Sequence, residues 1–196
     1  MNRADIMIDL ETLGTEPDSP IIQIAAARFD IATGDIIDTF NQVCGFQFEH
    51  NITITIDTLK WWLNTDNELL KDLLNQGKNS TLSMIESFYS WITNQGEIDE
   101  RYLWGNGILF DNNMIKTHFQ NFYHKYPILY RNDRDMRTIV DLAAMKLGLE
   151  SATEFSKLHS DENIRAHDAM NDVKTQVHII HEAYKVIMGG ANEQVS

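Results

Sequence analysis

The chain has 196 residues, of which 43% are hydrophobic and 23% are charged, and this composition is typical of one globular domain with a substantial core. Its 29 acidic residues outnumber the 16 basic residues and give a net charge of −13. This charge disfavours a broad basic binding surface. It fits either an ordinary acidic enzyme or a protein in which several carboxylates are clustered to bind cations. The chain has a single cysteine, Cys44, which excludes an intrachain disulfide. No apolar run approaches the ~20 residues of a membrane span, and no secretory leader is visible. We therefore expect a cytoplasmic protein.

Three apolar segments open the chain and predict strands at Ile6–Leu10, Ile21–Phe29 and Ile36–Val43. Short turn-forming sequences separate them, so the strands are expected to form a meander. No repeat, low-complexity tract or linker interrupts the sequence. We therefore predict a single domain over residues 1–190, followed by a short polar tail at 191–196.

Helical spacing of apolar residues dominates the rest of the chain, with a fourth strand predicted at Arg101–Trp104. The segment Ser151–Glu162 is polar without clear periodicity, and a loop is expected there. Strands followed by alternating helices and strands indicate an α/β fold with a mixed sheet flanked by helices. Helices are predicted after a cap at Asp57, through Leu69–Leu74, from Ser80 to Asn94, over Asp111–Tyr123, from Thr138 to Leu147 and over Asp168–Met188.

The first candidate motif is an Asp-x-Glu pair, Asp9 and Glu11, at the end of the first strand. Side chains two residues apart on a strand point to the same side, so both carboxylates can converge on one ion. Oxygen ligands of this kind suit Mg²⁺ or Mn²⁺. The alternative is an ordinary solvated pair at a strand end.

The second motif follows the predicted fourth strand, where Gly105 and Gly107 precede Asp111. The glycines permit close approach of another backbone or of a substrate. Asp111 is either a metal ligand or an acid favoured at a helix start by the helix dipole.

The third motif contains His167, Asp168 and Asp172. On one regular helix, His167 and Asp172 would be separated by about 140° around the axis and could not readily share a site. If Asp168 is the N-cap, His167 lies in the preceding segment, and both side chains can face one pocket. A histidine placed there could accept a proton from water near neutral pH, although a structural or merely exposed histidine is the alternative.

Taken together, the three motifs resemble those of the DEDD exonuclease superfamily in its DEDDh branch, over a region from about Ala4 to Val186. The sequences Asp9-Leu10-Glu11-Thr12-Leu13-Gly14, Trp104-Gly105-Asn106-Gly107 with Phe110-Asp111-Asn112, and Arg134-Asp135-Met136-Arg137-Thr138 look like the exonuclease A group of T-even bacteriophages. The exonuclease domain of RecE shares much of this pattern. A related bacterial group with the same motifs acts on RNA.

The resemblance implies a ribonuclease H-like fold, with a five-stranded mixed sheet flanked by helices, and a 3′-5′ exonuclease that uses two divalent metal ions, Mg²⁺ or Mn²⁺. Carried over by motif, Asp9 bridges both metals, Glu11 and Asp172 complete one of them, and Asp111 acts on the second. His167 is the expected general base. The expected products are nucleoside 5′-monophosphates.

Substrate contacts are predicted partly from the resemblance and partly from side-chain chemistry. The residues after the first motif are expected to touch the terminal nucleotide, Trp61 or Trp62 offers a stacking surface, and arginines offer phosphate contacts. Arg137 could equally pair with an acid. The predicted set is Thr12, Leu13, Gly14, Trp62, Asn106, Arg137 and Arg165.

The expected partner is the 3′ end of a nucleic acid, with single-stranded DNA favoured over RNA. An exoribonuclease of the same fold and mechanism is the alternative, since only contacts to the 2′-hydroxyl would distinguish the two. A nucleic-acid-binding module without turnover is the remaining hypothesis, and the presence of all five motif residues argues against it.

Overall fold

A computed structural model describes residues 3–46, 49, 52–161 and 164–189. The end of the predicted domain at residue 190 and the predicted tail at 191–196 lie outside the described residues. The strands are β1 Ala4–Thr12, β2 Ile21–Phe29, β3 Ile36–Val43, β4 Arg101–Gly105 and β5 Asp133–Asp135. The helices are α1 Ile56–Thr65, α2 Asn67–Gln76, α3 Thr81–Thr93, α4 Asp111–Asn121, α5 Met136–Leu147, α6 Ala152–Leu158 and α7 Ala169–Met188.

The five strands form one mixed sheet in the order β3-β2-β1-β4-β5. Strands β1, β2 and β3 pair antiparallel as the predicted meander, whereas β4 runs parallel to β1 and β5 runs parallel to β4. The five-stranded mixed sheet flanked by helices is therefore confirmed. Strand β5 was not predicted, because its three residues, Asp-Arg-Asp, show no apolar alternation.

The alternation of side chains along β1 divides the core between the two faces of the sheet. Ile6, Ile8 and Leu10 pack with buried residues of α3 and α4. Met7 points to the other face and packs with α5, α6 and α7. Asp9 lies two residues after Met7 and therefore points to the same face of the sheet. The acidic end of β1 thus faces α7.

A third apolar cluster joins the end of β1 and the start of β2 to helices α1 and α2. Its central side chain, Trp62, is buried, and its indole nitrogen donates a hydrogen bond of 2.9 Å to the carbonyl of Thr12. This bond fixes the end of β1 against α1, immediately beside the predicted Asp-x-Glu motif.

The predicted loop at Ser151–Glu162 is wrong, because helix α6 occupies most of the segment. Phe155 is the fully buried residue of this short helix, and one large buried side chain produces no periodicity that the sequence could reveal. Within the described residues, no helix is long and apolar enough to cross a membrane.

The predicted helix starts were correct in part. Ser80 and Asp168 are N-caps whose side chains accept backbone hydrogen bonds, as expected. Helix α5 begins earlier than predicted, with Asp135 rather than Thr138 as its cap. Helix α1 follows Thr55, and Asp57 lies inside its first turn rather than at the cap.

Candidate active site

Three carboxylates meet where the end of β1 faces the start of α7. Oxygen atoms of Asp9, Glu11 and Asp172 lie within 4.8 Å of one another. Glu11 is buried, and the other two are partly buried. The two acids of the first motif and the last acid of the third motif, which are more than 160 residues apart in the chain, thus form one cluster, as the sequence predicted.

The position of Asp172 depends on how α7 begins. The Asp168 carboxylate accepts a hydrogen bond of 3.1 Å from the amide of Asn171 and caps the helix. Gln23, on β2, accepts a hydrogen bond of 3.2 Å from the amide of Ala169 and ties the first helical residue to the sheet. These two contacts set the first turn of α7 over the acidic end of β1.

Asp111 is the first residue of α4 and is buried. Its carboxylate lies beside the cluster, where the backbone of Leu10 on β1 favours its charged form and its own charge raises the pKa of Asp9. Asn112 fastens this end of α4 to the sheet by donating hydrogen bonds of 3.1 Å to the carbonyl of Leu103 and 2.8 Å to Asp133. A β-carbon on Gly105 would collide with the amide oxygen of Asn112, so this position requires glycine.

The electrostatics of the cluster favour a bound cation. Burial, together with the neighbouring acids Asp111 and Asp172, raises the pKa of Asp9 well above its ordinary value. Burial and then Asp9 raise the pKa of Glu11 to about 10, and burial raises the pKa of Asp111 to about 7. Carboxylates crowded in this way ionise together only when positive charge compensates them. The donor set therefore fits hard divalent ions, which prefer carboxylate oxygen.

Gln176 also reaches the cluster, although it is not among the residues predicted from the sequence. It lies one helical turn after Asp172, is only 7% exposed, and donates a hydrogen bond of 2.8 Å to Oδ1 of Asp9. Its own carbonyl oxygen is buried and has no hydrogen-bond partner among the described residues. The four-residue spacing from Asp172 on a predicted helix was the available signal, since it places both side chains on one face.

His167 lies in the segment before α7, as predicted. Its backbone is in the left-handed region, with φ of 64°, and its amide donates a hydrogen bond of 3.0 Å to Oδ2 of Asp172. Its ring packs edge-on against Trp61, with the ring centroids 4.8 Å apart. The backbone of His167 is therefore attached to the acidic cluster, while its imidazole rests against α1.

Arg165, a predicted phosphate contact, is paired with an acid in the structure. Its guanidinium forms two hydrogen bonds, of 2.9 and 2.8 Å, with the carboxylate of Asp66, the N-cap of α2. This ion pair lowers the pKa of Asp66 to about 2. Arg165 therefore links the segment containing His167 to the junction of α1 and α2.

A cleft of about 530 Å³ opens beside the carboxylates, between the end of β1, helix α1 and the start of α4. Trp61 lines it with 43% of its surface exposed, whereas Trp62 is 1% exposed. The predicted stacking role of Trp62 is therefore wrong, because core packing covers its ring. Trp61 presents the accessible aromatic surface. The cleft is lined by Leu10, Glu11, Thr12, Thr15, Thr55, Asp57, Thr58, Trp61, Trp62 and Phe110.

The three residues after Glu11 differ in their access to this cleft. Thr12 lines it and donates a hydrogen bond of 2.7 Å to the carbonyl of Gly14. The Leu13 side chain is 3% exposed and packs in the apolar cluster of α1 and α2, so it cannot touch a nucleotide as predicted. Gly14 is buried, and a β-carbon there would overlap the hydroxyls of Ser19 and Thr55, which indicates a packing role.

Asn106 and Arg137 lie near Asp111 and line a different opening from Trp61. The guanidinium of Arg137 donates a hydrogen bond of 3.3 Å to the amide oxygen of Asn106, and both side chains are exposed. The positive charge of Arg137 lowers the pKa of Asp111, against the larger effect of burial. Of the two predicted arginines, Arg137 is thus the one that lies beside an acid of the site.

Comparisons with known proteins give matches over most of the chain. The model of the 3′-5′ exoribonuclease Rv2179c-like domain family matches residues 4–184. An exodeoxyribonuclease of Enterobacteria phage T4 is 24% identical over an alignment of 211 positions, gaps included, that covers 94% of this chain and 91% of that protein.

Solved structures show the same fold. A complex of Escherichia coli exonuclease I with single-stranded DNA superposes with a TM-score of 0.68 at 17% identity, over 95% of this chain and 41% of that one. The chain therefore spans about two fifths of the exonuclease I chain. The nuclease domain of 3′hExo, a DEDDh family member bound to rAMP, superposes with a TM-score of 0.58 at 16% identity, over 98% of this chain and 96% of that one.

Proposed function

The chain belongs to the 3′-5′ exoribonuclease Rv2179c-like domain family, and from this membership and the site we propose that it degrades single-stranded nucleic acid with two divalent metal ions. The chain is a 3′-5′ exonuclease of the DEDDh type. The observation that carries the proposal is the cluster of Asp9, Glu11 and Asp172, whose oxygens lie within 4.8 Å of one another beside Asp111.

In this proposal the acids share two metal positions. Asp9, Glu11 and Asp172 would hold one ion, and Asp9 with Asp111 would hold the second. Mg²⁺ and Mn²⁺ are the proposed ions, because carboxylate oxygen suits both. Divalent ions supply positive charge that acidifies an attacking water and stabilises the departing oxygen in phosphodiester hydrolysis.

His167 is the proposed general base. It would accept a proton from the attacking water as the water oxygen forms a bond to the terminal phosphorus. The bond from phosphorus to the 3′-oxygen of the preceding nucleotide then breaks, and that oxygen takes a proton from solvent. The products are a nucleoside 5′-monophosphate and a strand shortened by one nucleotide. Trp61 is proposed to stack on the terminal base, since its ring is exposed in the cleft beside Glu11.

The proposed substrate is the 3′ end of single-stranded DNA. The similarity to the phage T4 exodeoxyribonuclease over 94% of the chain supports this choice. RNA is the second candidate, because the matching family model describes an exoribonuclease domain.

Parallel digestion of DNA and RNA oligonucleotides of one sequence tests the proposal. Each oligonucleotide is labelled in its 3′-terminal nucleotide and incubated with Mg²⁺ or Mn²⁺, and Asp9→Asn serves as the inactive control. We expect labelled mononucleotide from the first time point and faster release from DNA. Faster release from RNA would show that RNA, the second candidate, is the preferred substrate. Strand binding without metal-dependent release would identify a binding module instead of an enzyme.

A further inference from the structure

The segment Asn106–Phe110, which precedes Asp111, separates two openings in the surface. Phe110 lines the cleft that contains Trp61. Asn106 lines a second groove of about 610 Å³ between α5 and α6. Both volumes are in the range typical of ligand-binding clefts. The two openings therefore flank the same buried acid of the candidate active site.

The groove between α5 and α6 has a polar rim with one cationic side chain. Arg137, Thr138 and Asp141 of α5 face Thr153 and Ser156 of α6 across it. The buried apolar side chains of α5 form its floor. A guanidinium and several hydroxyls over an apolar floor suit the phosphates and sugars of a nucleic-acid backbone.

Arg137 is available to bind an anion in this groove. Its guanidinium lies over Gly107, where a β-carbon would be 2.9 Å from Cζ, and it donates to the neutral amide of Asn106. Among the ion pairs in the described part of the chain, Arg137 has no carboxylate partner, whereas Arg165 is paired with Asp66. The positive charge at this edge of the site is thus not already neutralised by direct contact.

The chemistry of the substrate assigns an occupant to each opening. A scissile phosphodiester joins the terminal nucleoside on one side to the 3′-oxygen of the preceding nucleotide on the other. With that phosphate at the acids, the terminal nucleoside fits the cleft with the exposed ring of Trp61. The preceding segment contributes one further phosphate per nucleotide, so it fits the groove that contains Arg137.

We propose that the groove between α5 and α6 binds the nucleotides on the 5′ side of the scissile phosphate, with Arg137 contacting a phosphate of that segment. This inference rests on the proposed function and adds a binding site for the body of the strand. Asp141 lies on the rim of the same groove and opposes phosphate binding. Substitutions in the groove can therefore either add or remove a negative charge at residues outside the catalytic cluster.

Two charge changes in the groove test the assignment. Thr153→Glu adds a negative charge at the exposed first turn of α6, where the helix dipole favours an acid and preserves the helix. Asp141→Asn removes a negative charge from the exposed face of α5. We expect the Kd of a fluorescein-labelled ten-residue oligothymidylate, measured by anisotropy with Ca²⁺, to rise about three- to tenfold for Thr153→Glu and to fall by a similar factor for Asp141→Asn.

A matched control and a shorter substrate separate this proposal from the proposed function. Ser90→Glu adds the same charge at an exposed position of α3, across the sheet from the groove, and should leave the Kd nearly unchanged. Hydrolysis of the 4-nitrophenyl ester of thymidine 5′-monophosphate, which lacks preceding nucleotides, should be equal in wild type and all three variants.

The outcomes decide between the two proposals. Opposite shifts in Kd with unchanged ester hydrolysis support the groove. Equal Kd values, or shifts in the same direction for Thr153→Glu and Asp141→Asn, overturn it. If the wild type hydrolyses neither the ester nor the oligothymidylate, the proposed function fails, while the Kd values still decide whether the groove binds the strand.

Discussion

Asp9 combines burial with two neighbouring acids, Asp111 and Asp172, and all three effects disfavour its ionised form. The hydrogen bond from Gln176 acts in the opposite direction by stabilising the carboxylate. In the absence of a cation, Asp9 therefore lowers the free energy of unfolding of the chain. A neutral side chain of the same shape would not have this effect.

Asp9→Asn should stabilise the metal-free chain and abolish its response to metal. The new amide keeps an oxygen that can accept from Gln176, while the repulsion from the other acids disappears. Each kcal/mol recovered raises the Tm of a chain of this size by roughly 2–4 °C. Thermal unfolding with EDTA and with Mn²⁺ measures both effects. Asp99→Asn, at an exposed turn, is the control, and a retained Mn²⁺ response in Asp9→Asn would contradict the metal assignment.

Gln176→Met should weaken metal binding without unfolding the chain. Methionine keeps the length and burial of the side chain but cannot donate to Asp9, so the carboxylate loses its orientation. Loss of a hydrogen bond to a metal ligand typically lowers metal affinity about 10- to 100-fold. Titration calorimetry with Mn²⁺ gives the affinity, and Gln120→Met, at an exposed position of α4, is the matched control. Equal Mn²⁺ affinity in both variants would limit Gln176 to packing.

Trp61→Ala should raise the KM for an oligonucleotide, because the exposed ring is the aromatic surface of the cleft. Stacking on a base contributes about 1–3 kcal/mol, which corresponds to a roughly 5- to 150-fold change. Trp61→Phe should retain most of the affinity. Steady-state kinetics on single-stranded DNA measure the effect, and Tyr123→Ala, at a residue that is 97% exposed, is the control. A KM equal to that of the wild type would place the terminal base elsewhere.

At the scale of elements, the segment before α7 is attached on two sides. Its buried side is tied to the sheet through Gln23 and the capped start of α7. Its exposed side is tied to the junction of α1 and α2 by the ion pair of Arg165 and Asp66 and by the contact of His167 with Trp61. The position of the proposed base thus depends on two other helices.

Arg165→Gln should reduce kcat several-fold and hardly change stability. The pair with Asp66 is exposed, and exposed ion pairs contribute little to stability. Asp66→Asn preserves the cap of α2 and removes the same ion pair, so it should have the same effect on kcat. In the double variant the two kcat effects should not add, because both remove one interaction. Additive losses, measured in single-turnover assays, would show that the two residues act separately.

At the scale of the whole molecule, the excess of acid predicts how stability depends on pH. Because their pKa values are raised, the carboxyls of Asp9, Glu11 and Asp111 bind more protons in the folded chain than in the unfolded chain above pH of about 4. Stability of the metal-free chain should therefore fall as pH rises through the pKa of Asp111, about 7, and continue to fall towards that of Glu11, about 10.

Mg²⁺ should reverse this trend, because ionised carboxylates bind it. The increase in Tm on adding Mg²⁺ should grow between pH 5 and pH 9, as measured by thermal unfolding in EDTA and in saturating Mg²⁺. Asp9→Asn should flatten both pH profiles. A metal-free chain that is most stable at pH 9 would contradict the raised pKa values.

The sequence by itself determined the elements and contacts that depend on neighbouring residues. Alternation along β1 placed Asp9 and Glu11 on one side, and the cap at Asp168 separated His167 from the helix that contains Asp172. The order of the motifs also produced the resemblance to the exonuclease family, and that resemblance implied the five-stranded sheet. These features follow from periodicity, capping and motif spacing, which are visible in the chain before it folds.

Only the tertiary structure decided which side chains are accessible and which distant residues meet. Trp61 is exposed and Trp62 is buried because α1 packs against the end of β1. Gln176 and Asp9, which form a hydrogen bond, are 167 residues apart in the chain, and Arg165 and Asp66 are 99 residues apart. Local sequence patterns therefore could not predict either pair. Burial and partnership are set by the packing of elements far apart in the chain, and for this reason the acids could be predicted while their supporting contacts could not.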